Sequence, residues 1–127
     1  MGHPLIDRLT DELGWPRLTT REELAAFTET GVTALFLPGD PRRNLESADV
    51  AVILPELRIA FQRAFDCAVV DDAIEAQLRE ETRVLKTPSV IFYRDGQFLG
   101  GIPKVRDWDD YIARIPQILS AEPANAA

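Results

Sequence analysis

One stretch in the last third of the sequence constrains the fold more strongly than any other part. It begins with Pro88–Arg94, a short apolar and aromatic run that is typical of a β-strand. Asp95 and Gly96 follow, and this dipeptide favours a two-residue hairpin turn. Gln97–Gly101 then has the composition of a returning strand. The sequence therefore predicts two antiparallel strands near the C-terminus.

Two further apolar runs predict buried strands, at Val32–Leu37 and Cys67–Val70. Apolar spacing and capping residues predict helices at residues 4–13, 20–29, 50–65, 73–82 and 107–119. Pro55 lies inside the third of these helices and should kink it. Strands separated by helices become parallel neighbours through right-handed crossovers. We therefore expect an α/β fold with a mixed central sheet and helices on both faces.

The composition narrows the classes of function. The chain has 127 residues, which fits one domain at residues 1–119 followed by a flexible tail at 120–127. Its net charge of −7 should repel nucleic acids and anionic lipid surfaces and attract basic partners. The N-terminus lacks the pattern of a secretory signal, and no stretch is long enough for a membrane span. We expect a cytoplasmic protein that does not insert into membranes.

The residues that most enzymes and metal sites use are scarce. Cys67 is the only cysteine, so an internal disulfide and a dithiol redox cycle are both excluded. His3 is the only histidine, which leaves no His and Cys cluster for a metal ion. No glycine-rich phosphate loop is present. We therefore expect a protein that binds a partner without catalysis, cofactor or metal.

Several stretches resemble a thioredoxin domain. They are the segment from Thr87 to Gly96, the pair Gly100-Gly101, and Pro55 at the position of the helix-kinking proline. The resemblance implies a thioredoxin-like fold with a cis peptide bond at Thr87–Pro88. The segment that should carry Cys-x-x-Cys instead reads Asp40-Pro41-Arg42-Arg43, without sulfur.

A narrower resemblance covers the whole chain. The stretches Gly14–Pro16, Leu35–Arg43, Val52–Leu57 and Lys86–Phe92 are similar, in their order and in the missing thiols, to the HyaE/HupG family of nickel–iron hydrogenase accessory proteins. That resemblance implies a non-enzymatic chaperone for the hydrogenase small subunit. It further implies recognition of the twin-arginine signal peptide of the small-subunit precursor before export, with other hydrogenase accessory proteins as possible partners.

Acidic residues follow both predicted parallel strands, at the sheet edge where open α/β sheets bind ligands. One group lies in or near a polar loop at residues 38–49, the other directly after the second strand. Carboxylates hold guanidinium groups by charge-assisted hydrogen bonds, and the backbone beside a groove can pair with an extended peptide. The predicted peptide-binding residues are Asp40, Glu46, Asp49, Asp71, Asp72, Thr87 and Pro88.

Three alternatives stay open at the level of sequence. The carboxylates are also ordinary helix caps and loop residues, and Arg42 and Arg43 in the same loop can neutralise them. Cys67 could serve a single-cysteine redox protein, which would require an accessible thiolate of low pKa. The chain could also be a structural subunit of a larger maturation complex.

Overall fold

A computed structural model describes residues 3–121, which form a mixed five-stranded sheet with helices on both sides. The strands are β1 (Arg17–Leu18), β2 (Val32–Leu37), β3 (Asp66–Val70), β4 (Ser89–Arg94) and β5 (Gln97–Pro103). The helices are α1 (Pro4–Asp11), α2 (Arg21–Thr28), α3 (Glu46–Ala60), α4 (Asp72–Thr82) and α5 (Trp108–Leu119). Within residues 3–121 no helix combines the length and the apolarity that crossing a bilayer requires.

The strand order is β1-β3-β2-β4-β5. β3 is parallel to both β1 and β2, whereas β4 is antiparallel to β2 and to β5. β2 lies at the centre, and its residues from Ala34 to Leu37 are fully buried. A strand that is covered on both faces is expected to be continuously apolar rather than to alternate between polar and apolar residues. The run from Ala34 to Leu37 fits this expectation.

Successive side chains of each strand enter two different cores. Ala34 and Phe36 face the core that α1, α3 and α5 cover, together with Tyr111 of α5. Leu35 and Leu37 face the core that α2 and α4 cover. The predicted mixed sheet with helices on both faces is confirmed.

Local signals place the starts of three helices. Thr20 and Glu23 form a capping box at the start of α2, where the sequence predicts a helix from residue 20. The Asp71 side chain accepts a hydrogen bond from the Ala73 N–H at 2.9 Å and so caps α4. Asp107 precedes α5 as predicted, but its side chain makes no capping hydrogen bond. Trp108, which the helical spacing assigns to the apolar side of α5, is substantially exposed.

The largest differences from the predictions concern β1, α3 and β5. The sequence does not predict β1, because two residues are too short for a periodic signal; this strand forms by pairing with β3. α3 begins at Glu46, four residues before the predicted start, and ends at Ala60, five residues before the predicted end; it contains Pro55 as expected. β5 continues to Pro103, because its pairing with β4 extends to Ser89. Of the predicted tail, residues 122–127 lie outside the described part of the chain.

Candidate functional site

A cavity of about 930 Å³ lies beyond the end of β2, between the start of α3 and the first turns of α4. Its lining contains both signs of charge. The carboxylates belong to Asp40, Glu46, Asp72 and Glu75. The cations belong to Arg42, Arg43, Arg79 and Lys104. The described residues that line the cavity include neither cysteine nor histidine, and their charged side chains can bind charged or hydrogen-bonding groups.

Asp40 is bound by its own loop. Its Oδ1 accepts hydrogen bonds from the Arg42 backbone N–H at 3.0 Å and from Arg42 Nε at 3.3 Å, and Arg43 Nε lies 3.8 Å from Oδ2. The bond from the Arg42 backbone is the main reason that the pKa of Asp40 is lowered. Both arginine side chains are well exposed, so water screens these ion pairs and the carboxylate stays open to exchange with another cation.

Glu46 connects α3 to the end of the hairpin. It accepts a hydrogen bond from the Val105 N–H at 2.9 Å, and its other oxygen lies 3.1 Å from Lys104 Nζ. The Val105 bond first, and Lys104 second, lower the pKa of Glu46. The Glu46 carboxylate is therefore ionised at neutral pH and already bound to Val105 and Lys104 within the protein.

Glu75 is a cavity residue that the sequence analysis did not identify. Its side chain is only 5% exposed and accepts a hydrogen bond from the Gly39 N–H at 2.7 Å. Burial raises the pKa of Glu75 above its ordinary value. The sequence does contain a signal for this position, because helical spacing places Glu75 on the same buried face of α4 as Ile74, Leu78 and Thr82.

Thr87 lines the cavity, and its carbonyl is already occupied. Asn44 Nδ2 donates a hydrogen bond to the Thr87 oxygen at 2.5 Å, and Lys104 Nζ lies 3.4 Å from the same atom. The Thr87–Pro88 peptide bond is cis, and Pro88 is buried beneath the surface. We expected this carbonyl to pair with an extended peptide. In this conformation Asn44, from the loop after β2, already occupies it.

Two of the predicted carboxylates, those of Asp71 and Asp49, lie outside the cavity. Asp71, which caps α4, also lies 3.6 Å from an Arg17 guanidinium nitrogen. It lines a neighbouring depression of about 320 Å³, to which Asp72 contributes as well. Asp49 is exposed on α3 and lines neither space, because the early start of α3 moves it from the expected loop onto the helix. The cavity thus unites Asp40, Glu46, Asp72 and Thr87 but not Asp49, Asp71 or Pro88.

The glycine pair of the hairpin has a packing role. Gly101 of the edge strand β5 pairs with Ile91 of β4, and a Cβ on it would lie 2.8 Å from Val84 Cγ2. These glycines allow helix and loop to approach the sheet closely, and they do not reach the cavity. Lys104 lies there instead, because β5 is longer than predicted.

Cys67 does not have the properties of a reactive thiol. It is 4% exposed on β3 and packs in the core with Ala34 and Val69. Burial raises the pKa of its thiol to about 12. A redox thiol needs the opposite, an accessible thiolate. Among residues 3–121, no group of three or more His, Cys, Asp or Glu side chains is placed to hold a metal ion.

Comparison with solved structures agrees with this fold. A mutant thioredoxin from Halobacterium salinarum is 17% identical and superimposes with a TM-score of 0.65 over 85% of this chain and 93% of that one. At that identity the likeness concerns the fold alone. The structure of a putative hydrogenase expression/formation protein, HupG from Rhodopseudomonas palustris, is 33% identical, with a TM-score of 0.54 over 83% of this chain and 95% of that one.

Sequence comparison extends over almost the whole chain. Hydrogenase expression/formation protein HupG of Rhodobacter capsulatus is 65% identical over 121 residues, covering 94% of this chain and 88% of the relative. The sequence profile of one family, described as Hydrogenase-1 expression protein HyaE, matches residues 5–111. The chain therefore belongs to the HyaE family of hydrogenase expression proteins, with a thioredoxin-like fold.

Proposed function

We propose that this protein is a non-catalytic accessory protein for the maturation of a nickel–iron hydrogenase. In this proposal it binds the twin-arginine signal peptide of the small-subunit precursor in the cytoplasm before export. Membership of the HyaE family and the naming of its relatives as hydrogenase expression/formation proteins support the maturation role. The buried, protonated thiol supports binding rather than redox turnover.

The observation that carries the signal-peptide part is the open carboxylate at the mouth of the cavity. Among the described residues, the Asp40 carboxylate contacts only the exposed side chains of Arg42 and Arg43 and the backbone of its own loop. A guanidinium from a bound peptide can replace those side chains without leaving a buried charge unpaired, since every group involved stays in contact with water. Asp72 lines the same cavity and offers a second carboxylate to the arginine pair.

The experiment is a titration of a fluorescently labelled signal peptide, containing either its arginine pair or a lysine pair, by calorimetry and anisotropy. We expect the double variant Asp40→Asn/Asp72→Asn to bind the arginine peptide at least several-fold more weakly than the wild type. Asp109→Asn is the matched control, because Asp109 is an exposed acid on α5 outside the cavity. Added salt should weaken wild-type binding.

Two outcomes would contradict the proposal. Equal affinity for the arginine and lysine peptides at every salt concentration would remove the arginine-specific part. Equal capture of precursor and mature small subunit in a pull-down would instead support a structural subunit of a larger complex.

A further inference from the structure

The outer face of α3 carries an apolar stripe that is open to solvent. Leu45, which directly precedes the helix, is 85% exposed, Val52 is 46% exposed and Ile59 is 60% exposed. These three aliphatic residues are spaced by seven, so they lie almost in line along the helix. A surface helix ordinarily presents polar residues to water on this side. α3 therefore has a face that is suited to contact with another molecule.

Two carboxylates interrupt the same stripe. Asp49 and Glu56, also seven residues apart, lie at helical spacing between the aliphatic residues, and both are exposed. Within residues 3–121 neither forms an ion pair or a side-chain hydrogen bond. The cavity carboxylate Glu46, by contrast, has internal partners. The free charges on this part of α3 are thus negative.

We propose that the α3 stripe, defined by Leu45, Asp49, Val52, Glu56 and Ile59, is a docking surface for a basic amphipathic helix of a partner protein. A helix laid along α3 repeats its side chains at the same interval of seven residues, about 10.5 Å. An extended strand repeats side chains on one face about every 6.7 Å and falls out of register. Lysine or arginine residues between the aliphatic positions of the partner meet Asp49 and Glu56.

The same charges oppose pairing of the stripe with a second copy of this chain. Two copies packed through this face would bring Asp49 and Glu56 of both into one interface, where like charges meet. The stripe spans about 21 Å from residue 45 to residue 59, which a partner helix of roughly 15 residues can cover. Leu45 also borders the cavity, whereas Asp49, Val52, Glu56 and Ile59 do not line it, so the stripe extends from the cavity rim along a separate face.

The test uses an 18-residue synthetic helix with leucines in heptad spacing and lysines at the positions between them, labelled for anisotropy. A counterpart with glutamates in place of the lysines is the charge control. The protein variants are Val52→Lys/Ile59→Lys and, as the matched control, Leu85→Lys, because Leu85 is 49% exposed in the loop after α4. NMR amide shifts of the wild type on addition of the lysine peptide map the contact without any mutation.

We expect the lysine peptide to bind with shifts concentrated on residues 45–60. Affinity should fall at least tenfold in Val52→Lys/Ile59→Lys, remain unchanged in Leu85→Lys, and weaken with salt. Absence of binding, equal binding of the glutamate peptide, or shifts centred on the cavity would overturn the proposal. So would a wild-type dimer that dissociates in Val52→Lys/Ile59→Lys, since a second copy would then be the occupant. None of these outcomes depends on signal-peptide binding.

Discussion

Substitution of Gly39 by alanine tests how the loop after β2 is fixed over the cavity. Gly39 has a φ of +73°, in the left-handed region. A Cβ at this position would lie 2.4 Å from Thr87 Oγ1 and 2.8 Å from Thr87 Cβ. Rotation of the threonine side chain can move Oγ1 away but cannot move Cβ. The two backbone segments must therefore separate in the variant.

Both segments are anchored, which sets the size of the effect. The Gly39 N–H donates to the buried Glu75 carboxylate, and the Thr87 carbonyl accepts from Asn44. The left-handed conformation costs an alanine about 1–2 kcal/mol, and overpacking at an anchored contact costs about 1–3 kcal/mol. The free energy of unfolding should thus fall by about 2–5 kcal/mol, a large part of the roughly 5–15 kcal/mol that is typical of a domain.

Gly14→Ala provides the matched control. Gly14 has a φ of +74°, but a Cβ there would meet no atom within 4 Å. Its loss should be limited to the conformational cost of about 1–2 kcal/mol. Urea denaturation of both variants and the wild type, followed by circular dichroism, measures the difference. Equal losses for Gly39→Ala and Gly14→Ala would refute the reasoning, because the contact with Thr87 would then carry no energy.

Two further predictions concern buried titratable groups. Because burial raises the pKa of Glu75 above 4.5, the native state binds its proton more tightly than the unfolded chain, and stability falls as pH rises from about 4.5 through the raised pKa. Glu75→Gln should therefore be more stable than the wild type at pH 7, with a gain that shrinks toward pH 4.5; a less stable variant at pH 7 in urea unfolding would contradict this. With a pKa of about 12, on the order of one Cys67 thiol in 10⁵ is ionised at pH 7. An aromatic disulfide reagent should react with it only after denaturation, and rapid labelling of the native protein would argue for the redox alternative.

Local patterns were sufficient to predict most of the fold. The apolar runs of β2 and β3, the Asp95-Gly96 turn and the capping box of α2 each depend on residues that are neighbours in sequence. β1 could not be predicted, because its two residues form a strand only through their pairing with β3. The candidate site was predicted less completely. Asp40, Glu46, Asp72 and Thr87 line the cavity, whereas Asp71, Pro88 and Asp49 do not.

Asp49 lies outside the cavity because α3 begins earlier than predicted. The Asn44 side chain accepts a hydrogen bond from the Glu46 N–H, and Ser47 Oγ donates to the Pro38 carbonyl at 2.6 Å. These contacts start the helix at Glu46, so that Glu46 faces Lys104 while Asp49 is carried onto the outer face. A periodic apolar pattern that begins at Val50 contains no information about them.

The sequence by itself determined the order of the helices and of the four longer strands, the burial of Cys67 and the absence of a second thiol, because these depend on composition and on short-range periodicity. Only the tertiary structure decided which polar groups meet. Gly39 and Glu75 are 36 residues apart in the chain, and Asn44 and Thr87 are 43 apart. Such pairs form because folding brings distant backbone segments to one sheet edge, where each buried polar group requires a partner.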